Sequence, residues 1–224
     1  MWHRGGGTTN AELVNYLKLS GVLKSKRPIK TMLAIDRDDF STRDPYEDAP
    51  QQIGCNATIS APHMHAHALE GLKEFLVPGA KVLDVGSGSG YLTACFGLMV
   101  EPDGKAVGIE HIDQLVKDSR RNIAKNHKDL LDNGVVELIV GDGRLGHPVD
   151  GGYNAIHLID QMARGGRMLI PVGREHGAQV FLQVDKTMDG KITQKIVEHV
   201  MYVPLTSPEN QIGTSRHGRS LVNY

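Results

Sequence analysis

The chain has 224 residues, 40% of them hydrophobic and 23% charged. That suffices for one packed core and predicts a single domain over 1–224, with 1–8 and 212–224 flexible. A net charge of -1 and a pI near 6.8 offer no basic surface for nucleic acid. No apolar run is long enough for a bilayer, so neither a nucleic-acid nor a membrane partner is expected. Cys55 and Cys95 form no metal or redox motif, which predicts a reduced, cytoplasmic (cytosolic) setting.

Thr9-x-x-Glu12 is a capping-box pattern. Leu13, Tyr16 and Leu17 follow it at helical spacing, and Gly21 is a stop signal. A second helical pattern covers 28–35. Residues 36–56 read as a long polar loop, of the kind that carries function. Ser60 suits a helix N-cap and Pro62 the first turn, with Leu69, Leu72, Phe75 and Leu76 on one face before Pro78-Gly79. Strands are predicted at 82–85, 106–110, 135–140, 153–158 and 167–172, with helices at 91–99 and 112–126. A final antiparallel pair, 179–185 and 192–203, turns at Asp189-Gly190. The alternation predicts an α/β fold with a mostly parallel sheet, an antiparallel C-terminal edge and extra N-terminal helices. This is the Rossmann-like layout of a class I methyltransferase.

The chemistry gathers at the strand ends. Asp84 closes an apolar strand before Gly86-Ser-Gly88-Ser89-Gly90, and Glu110 closes the next. Gly141-Asp142-Gly143-Arg144 follows the third. Strand, glycine turn and helix form a nucleotide-binding unit. The glycines alternate, unlike the Gly-x-Gly-x-x-Gly of a dinucleotide site. Three carboxylates suit an amine, a diol and an adenine, and would repel a pyrophosphate. S-adenosylmethionine therefore fits better than NAD. His63, His65 and His67 do not share one helix face and lack a matching further ligand, so no metal is expected.

Several segments together resemble the protein L-isoaspartate (D-aspartate) O-methyltransferase family. They are Asn56-Ala57-Thr58-Ile59-Ser60-Ala-Pro-His-Met-His65, Val82-Leu-Asp84-Val-Gly-Ser-Gly-Ser-Gly-Tyr91, Val140-Gly-Asp-Gly-Arg144, Gly165-Gly-Arg-Met-Leu-Ile-Pro171 and Met201-Tyr-Val-Pro-Leu-Thr206. The resemblance implies methyl transfer from S-adenosyl-L-methionine to the free carboxylate of L-isoaspartyl and D-aspartyl residues in damaged proteins and peptides, with S-adenosyl-L-homocysteine as product. It implies that Ser60 is the active-site hydroxyl. Cofactor contacts are implied at Ala57, Thr58, Ile59, Ser60, His65, Asp84, Gly86, Ser89, Gly90, Glu110, His111, Asp142, Gly143, Thr206 and Gln211. A monomer is expected.

One feature departs from the family pattern. A Gly-Ala-Ala-Ala-Pro-type loop and the start of its helix are missing after His157, where the sequence runs directly into Leu158-Ile-Asp-Gln161. A parallel crossover usually takes a dozen or more residues, so a truncated helix or a shortened fourth strand is predicted. In the family that loop helps to hold the substrate. The alternative reading is therefore a catalytically impaired, cofactor-binding relative.

Overall fold

The computed structural model describes residues 5–156, 161–173 and 179–200. Helix α1 (Asn10–Leu19) starts as its capping pattern predicts, with the Thr9 hydroxyl accepting from the Glu12 backbone N–H at 3.2 Å. It buries Leu13, Val14 and Leu17, and each such side chain contributes about 1.5–3 kcal/mol by leaving water. Residues 5–7, expected to be loose, are tied down. Gly7 donates to the Tyr46 carbonyl at 3.0 Å, and Asp48 donates to the Gly5 carbonyl at 2.8 Å.

Helix α2 (Lys26–Ala34) follows. The stretch 36–56, expected as one loop, contains a 3-10 turn at Arg37–Asp39 and strand β1 (Gln51–Gly54), which pairs antiparallel with β2 (Ala57–Ile59). Cys55 and Asn56 turn this hairpin with φ of 50° and 55°, the left-handed pair that a tight hairpin needs.

Helix α3 (Pro62–Leu72) corrects one expectation. Its N-cap is Ala61, so Ser60 precedes the cap and does not serve as it. The orphan donors of the first turn are met from outside: Asp48 Oδ1 accepts the His63 backbone N–H at 2.9 Å. A carboxylate is a stronger acceptor than a hydroxyl and favours the positive end of a helix.

The remaining elements are β3 (Lys81–Val85), α4 (Tyr91–Val100), β4 (Lys105–Glu110), α5 (Asp113–Ala124), α6 (Lys128–Asp132), β5 (Val136–Val140), β6 (Tyr153–Ile156), β7 (Met162–Gly173), β8 (Gln179–Lys186) and β9 (Ile192–Val200). One sheet runs β5-β4-β3-β6-β7-β8-β9. Its first five strands are parallel and its last two antiparallel. Alternation along the strands divides the core. Val82, Ala106, Val136, Leu138 and Ala155 join the main cluster with side chains of α1 to α6. Leu83, Val107 and Ile109 face the other way, into a smaller cluster with Tyr153, Met162, Met168 and Val184.

The predicted shortening lies between β6 and β7. Only residues 157–161 separate the two strands, too few for the usual parallel crossover. β7 starts at Met162 rather than near 167. Its first residues pair irregularly, with Met162 opposite Tyr153 and Arg167 opposite Ala155. Gly165, at φ +76°, lies inside that irregular stretch. His157, Thr206 and Gln211 lie outside the described residues.

Candidate active site at the carboxyl edge of the sheet

Parallel pairing in register brings the carboxyl ends of β3, β4 and β5 side by side, where open α/β sheets bind ligands. The glycine turn is stitched to the end of β4. Gly86 and Ser87 both donate to the Ile109 carbonyl, at 2.8 and 3.1 Å. Gly86, Gly88 and Gly90 have φ of 77°, 51° and 86°, so the alternating glycines answer alternating left-handed positions. Gly90 also meets a packing demand, because a Cβ there would lie 2.8 Å from the Ser119 Cβ. Ser89 is buried, and its carbonyl accepts from Asn122 Nδ2 at 3.1 Å.

Asp84 accepts a 2.5 Å hydrogen bond at Oδ2 from the Thr93 hydroxyl. Burial pushes its carboxyl up to about 6; the Thr93 bond opposes this and the Glu110 charge adds to it. Glu110 is buried. Its Oε2 accepts the Gly88 N–H at 3.2 Å and its Oε1 the Ile112 N–H at 3.1 Å. His111 Nε2 lies 3.7 Å from Glu110 Oε1. Each Glu110 oxygen keeps a second lone pair for a further donor.

The loop after β5 joins this edge through Gly141, which donates to the Glu110 carbonyl at 3.0 Å. A Cβ on Gly143 would fall 2.3 Å from Val85 Cγ1, so only glycine lets the loop approach β3 so closely. Asp142 is less available than the sequence suggests. Its Oδ2 accepts from Arg144 Nη2 at 2.6 Å and its Oδ1 from Arg144 Nε at 2.9 Å. These bonds hold its carboxyl down to about 2.

The β1–β2 hairpin carries Ala57, Thr58 and Ile59, with Ser60 directly after it, and reaches this edge through Ile53. Its Ile53 Cδ1 lies 3.3 Å from where a Gly88 Cβ would be. The Ser60 carbonyl accepts from Arg37 Nη2 at 2.7 Å, while its hydroxyl makes no hydrogen bond among the described residues. Arg37 Nη1 lies 3.1 Å from His65 Nδ1. The Tyr91 ring packs on both, 4.8 Å from the His65 ring and 5.5 Å from the Arg37 guanidinium carbon. Among the described residues no group of three or more His, Cys, Asp or Glu is placed to hold a metal.

The family model for protein-L-isoaspartate(D-aspartate) O-methyltransferase matches residues 8–210. This chain belongs to that family. A protein-L-isoaspartate O-methyltransferase of Caenorhabditis elegans is 55% identical over 219 residues, covering 93% of this chain and 97% of its own. A protein-L-isoaspartate O-methyltransferase 1 of Arabidopsis thaliana is 44% identical, over 94% of this chain and 97% of its own. A Plasmodium falciparum structure, described as a candidate member and complexed with S-adenosyl-L-homocysteine, superposes with a TM-score of 0.81 at 30% identity, covering 89% of this chain and 99% of that one.

For a member of this methyltransferase family, three groups at the site escape a reading by motif. Asp48 caps α3 from 15 residues away. Thr93 steadies Asp84 from the next helix. Arg37 sits in Asp36-Arg37-Asp38-Asp39 and reads as part of a solvated loop, yet it is 0% exposed. No local signal marks it; only the buried side chains that follow in the fold explain it.

Proposed function

We propose that this chain transfers a methyl group from S-adenosyl-L-methionine to the free carboxylate of L-isoaspartyl and D-aspartyl residues in damaged proteins and peptides, initiating their repair. The residues fit the methyl donor. A backbone cradle of left-handed glycines lies beside two carboxylates that keep acceptor capacity, Asp84 through Oδ1 and Glu110 through its second lone pairs. Asp84 suits the amine, Glu110 the ribose diol, and Asp142, Gly143 and His111 the adenine side. Gly86, Ser89 and Gly90 form the turn, Ala57 to Ser60 and His65 the opposite wall, and Thr206 and Gln211 are carried as further contacts. Bound there, the donor would supply a sulfonium methyl, which a carboxylate can attack as the neutral thioether S-adenosyl-L-homocysteine leaves; no general base is needed, because a carboxylate is already ionised at neutral pH.

The protein's tasks are then orientation and removal of water from the nucleophile. The observation that carries the reading is the Ser60 hydroxyl. Its backbone is anchored by Arg37, and among the described residues its own donor is unspent. A single neutral donor can orient a carboxylate without stabilising the ground state enough to slow transfer. The reading extends to a monomer acting in the cytosol on protein substrates. Among the described residues no helix is long and apolar enough to cross a membrane.

The test compares two peptides of one sequence, bearing isoaspartate or ordinary aspartate, with a labelled methyl donor. Base-labile methyl ester is expected on the isoaspartyl peptide only. Donor binding by calorimetry without ester on either peptide would overturn the assignment and favour a cofactor-binding role.

A further inference from the structure

Arg37 is a fully enclosed cation, and no described carboxylate forms an ion pair with it. Enclosing such a charge is expensive, and it persists where hydrogen bonds reward its geometry. Two of its three nitrogens are engaged, Nη2 with the Ser60 carbonyl at 2.7 Å and Nη1 with His65 Nδ1 at 3.1 Å. Its Nε has no partner. The side chain is thus spent on two residues that border the proposed reaction. We propose that Arg37 is the positioning residue of this site, holding the Ser60 backbone and fixing His65 as a neutral imidazole with its proton on Nε2. This rests on the methyl-transfer reading for the catalytic consequence, though not for the tautomer.

A guanidinium only donates. The contact with Nδ1 is therefore a hydrogen bond only if Nδ1 carries a lone pair, which puts the ring proton on Nε2. An imidazolium would set N–H against N–H and cation against cation. The neighbours of His65 agree. Arg37 comes from the 3-10 turn, His63 from the same helix, and Tyr91 from α4, with Cys95 against Tyr91. Asp48 lies beyond His63, bonded to His63 Nδ1 at 2.8 Å. Burial, then the Arg37 charge, then His63, push His65 well below the ordinary imidazole range. No described protein group accepts from Nε2. The site thus gains a fixed N–H donor in the first turns of α3, five residues after Ser60, and neither donor requires a proton to move.

The test reads the His65 ring nitrogens by two-dimensional nitrogen–proton NMR in the full chain, assigned by a His65→Gln variant. A neutral Nε2–H pattern, unchanged from about pH 5.5 to 8, is expected. Arg37→Lys keeps the cation but loses the fork, and Arg37→Gln loses the charge. In either variant the ring should titrate within that window or shift its proton to Nδ1, and kcat on an isoaspartyl peptide should fall about tenfold or more. A wild-type ring protonated on Nδ1, or titrating in the window, overturns the proposal even if neither variant folds. So does a folded Arg37→Lys protein with both tautomer and kcat unchanged. An Nε2–H ring in a wild-type protein that methylates no isoaspartyl peptide would sink the methyl-transfer reading and leave the hold of Arg37 on His65 standing.

Discussion

Asp48 and Ser60 divide two roles that a helix start often assigns to one residue. With Asp48 capping α3, the Ser60 hydroxyl is not required by the fold. Ser60→Ala should therefore change unfolding free energy by less than about 0.5 kcal/mol. Donor affinity should stay within about twofold while kcat on an isoaspartyl peptide drops at least about tenfold. Denaturant titration, calorimetry and initial rates read the three quantities; a parallel loss of affinity and turnover would make Ser60 a wall residue. Asp48→Ala should instead cost about 1 kcal/mol of stability. Asp84 offers a pH test. Its folded value, about 6, lies above the ordinary 3.8, so its stabilising contribution is complete below about pH 3.8 and is lost as pH rises through 6. Ionised at pH 7, it opposes folding by up to about 3 kcal/mol. Asp84→Asn should raise stability in urea at pH 7, with the gain vanishing near pH 4, while donor binding falls. Equal gains at both pH values would show that burial is not what perturbs Asp84.

The glycine turn shows what a short element demands of its neighbours. Gly90→Ala puts a Cβ on a left-handed backbone and against Ser119, so it should cost about 1–3 kcal/mol and loosen the start of α4. Thermal unfolding and donor titration would both register it. Elements with a strong local signal were legible in the sequence: β3 as an apolar run before the glycine turn, and α4, β4 and α5 from the strand–helix alternation that follows. The positions of Asp84 and Glu110 followed, because both lie at the carboxyl ends of their strands. Less legible were features decided by distant partners. The hairpin turn uses Cys55-Asn56 rather than a glycine-bearing pair, α6 is only five residues long, and the cap of α3 arrives from Asp48. Local propensity misplaced Ser60 as the cap of α3, whose N-cap is Ala61. The five-residue link between β6 and β7 was legible as a deletion. Restoring a Gly-Ala-Ala-Ala-Pro-type insert after His157 should lower KM for isoaspartyl peptides and leave donor affinity within about twofold, if the missing loop serves substrate binding. Steady-state rates with and without the insert decide it.

At the scale of the molecule, the sheet is two-sided in character. The main cluster is built with helices, and the smaller one with Leu83, Val107, Ile109 and the start of β7. With the donor bound as proposed at the carboxyl ends of β3, β4 and β5, ligand should stabilise the chain. At a hundredfold excess over Kd, the demethylated product should add about 2.7 kcal/mol. For a chain of this size each kcal/mol shifts Tm by about 2–4 °C. Differential scanning calorimetry would show the shift, and its absence at saturating product would place the binding site elsewhere. One arrangement has a mechanical meaning too. Ile53 rests on Gly88, and Ser60 directly follows the second strand of the same hairpin. A fluctuation that lifts the hairpin therefore uncovers the glycine turn and withdraws the serine in a single event. Under the proposed methyl transfer, the part that grips the donor and the part that aims the carboxylate would then open and reclose in step.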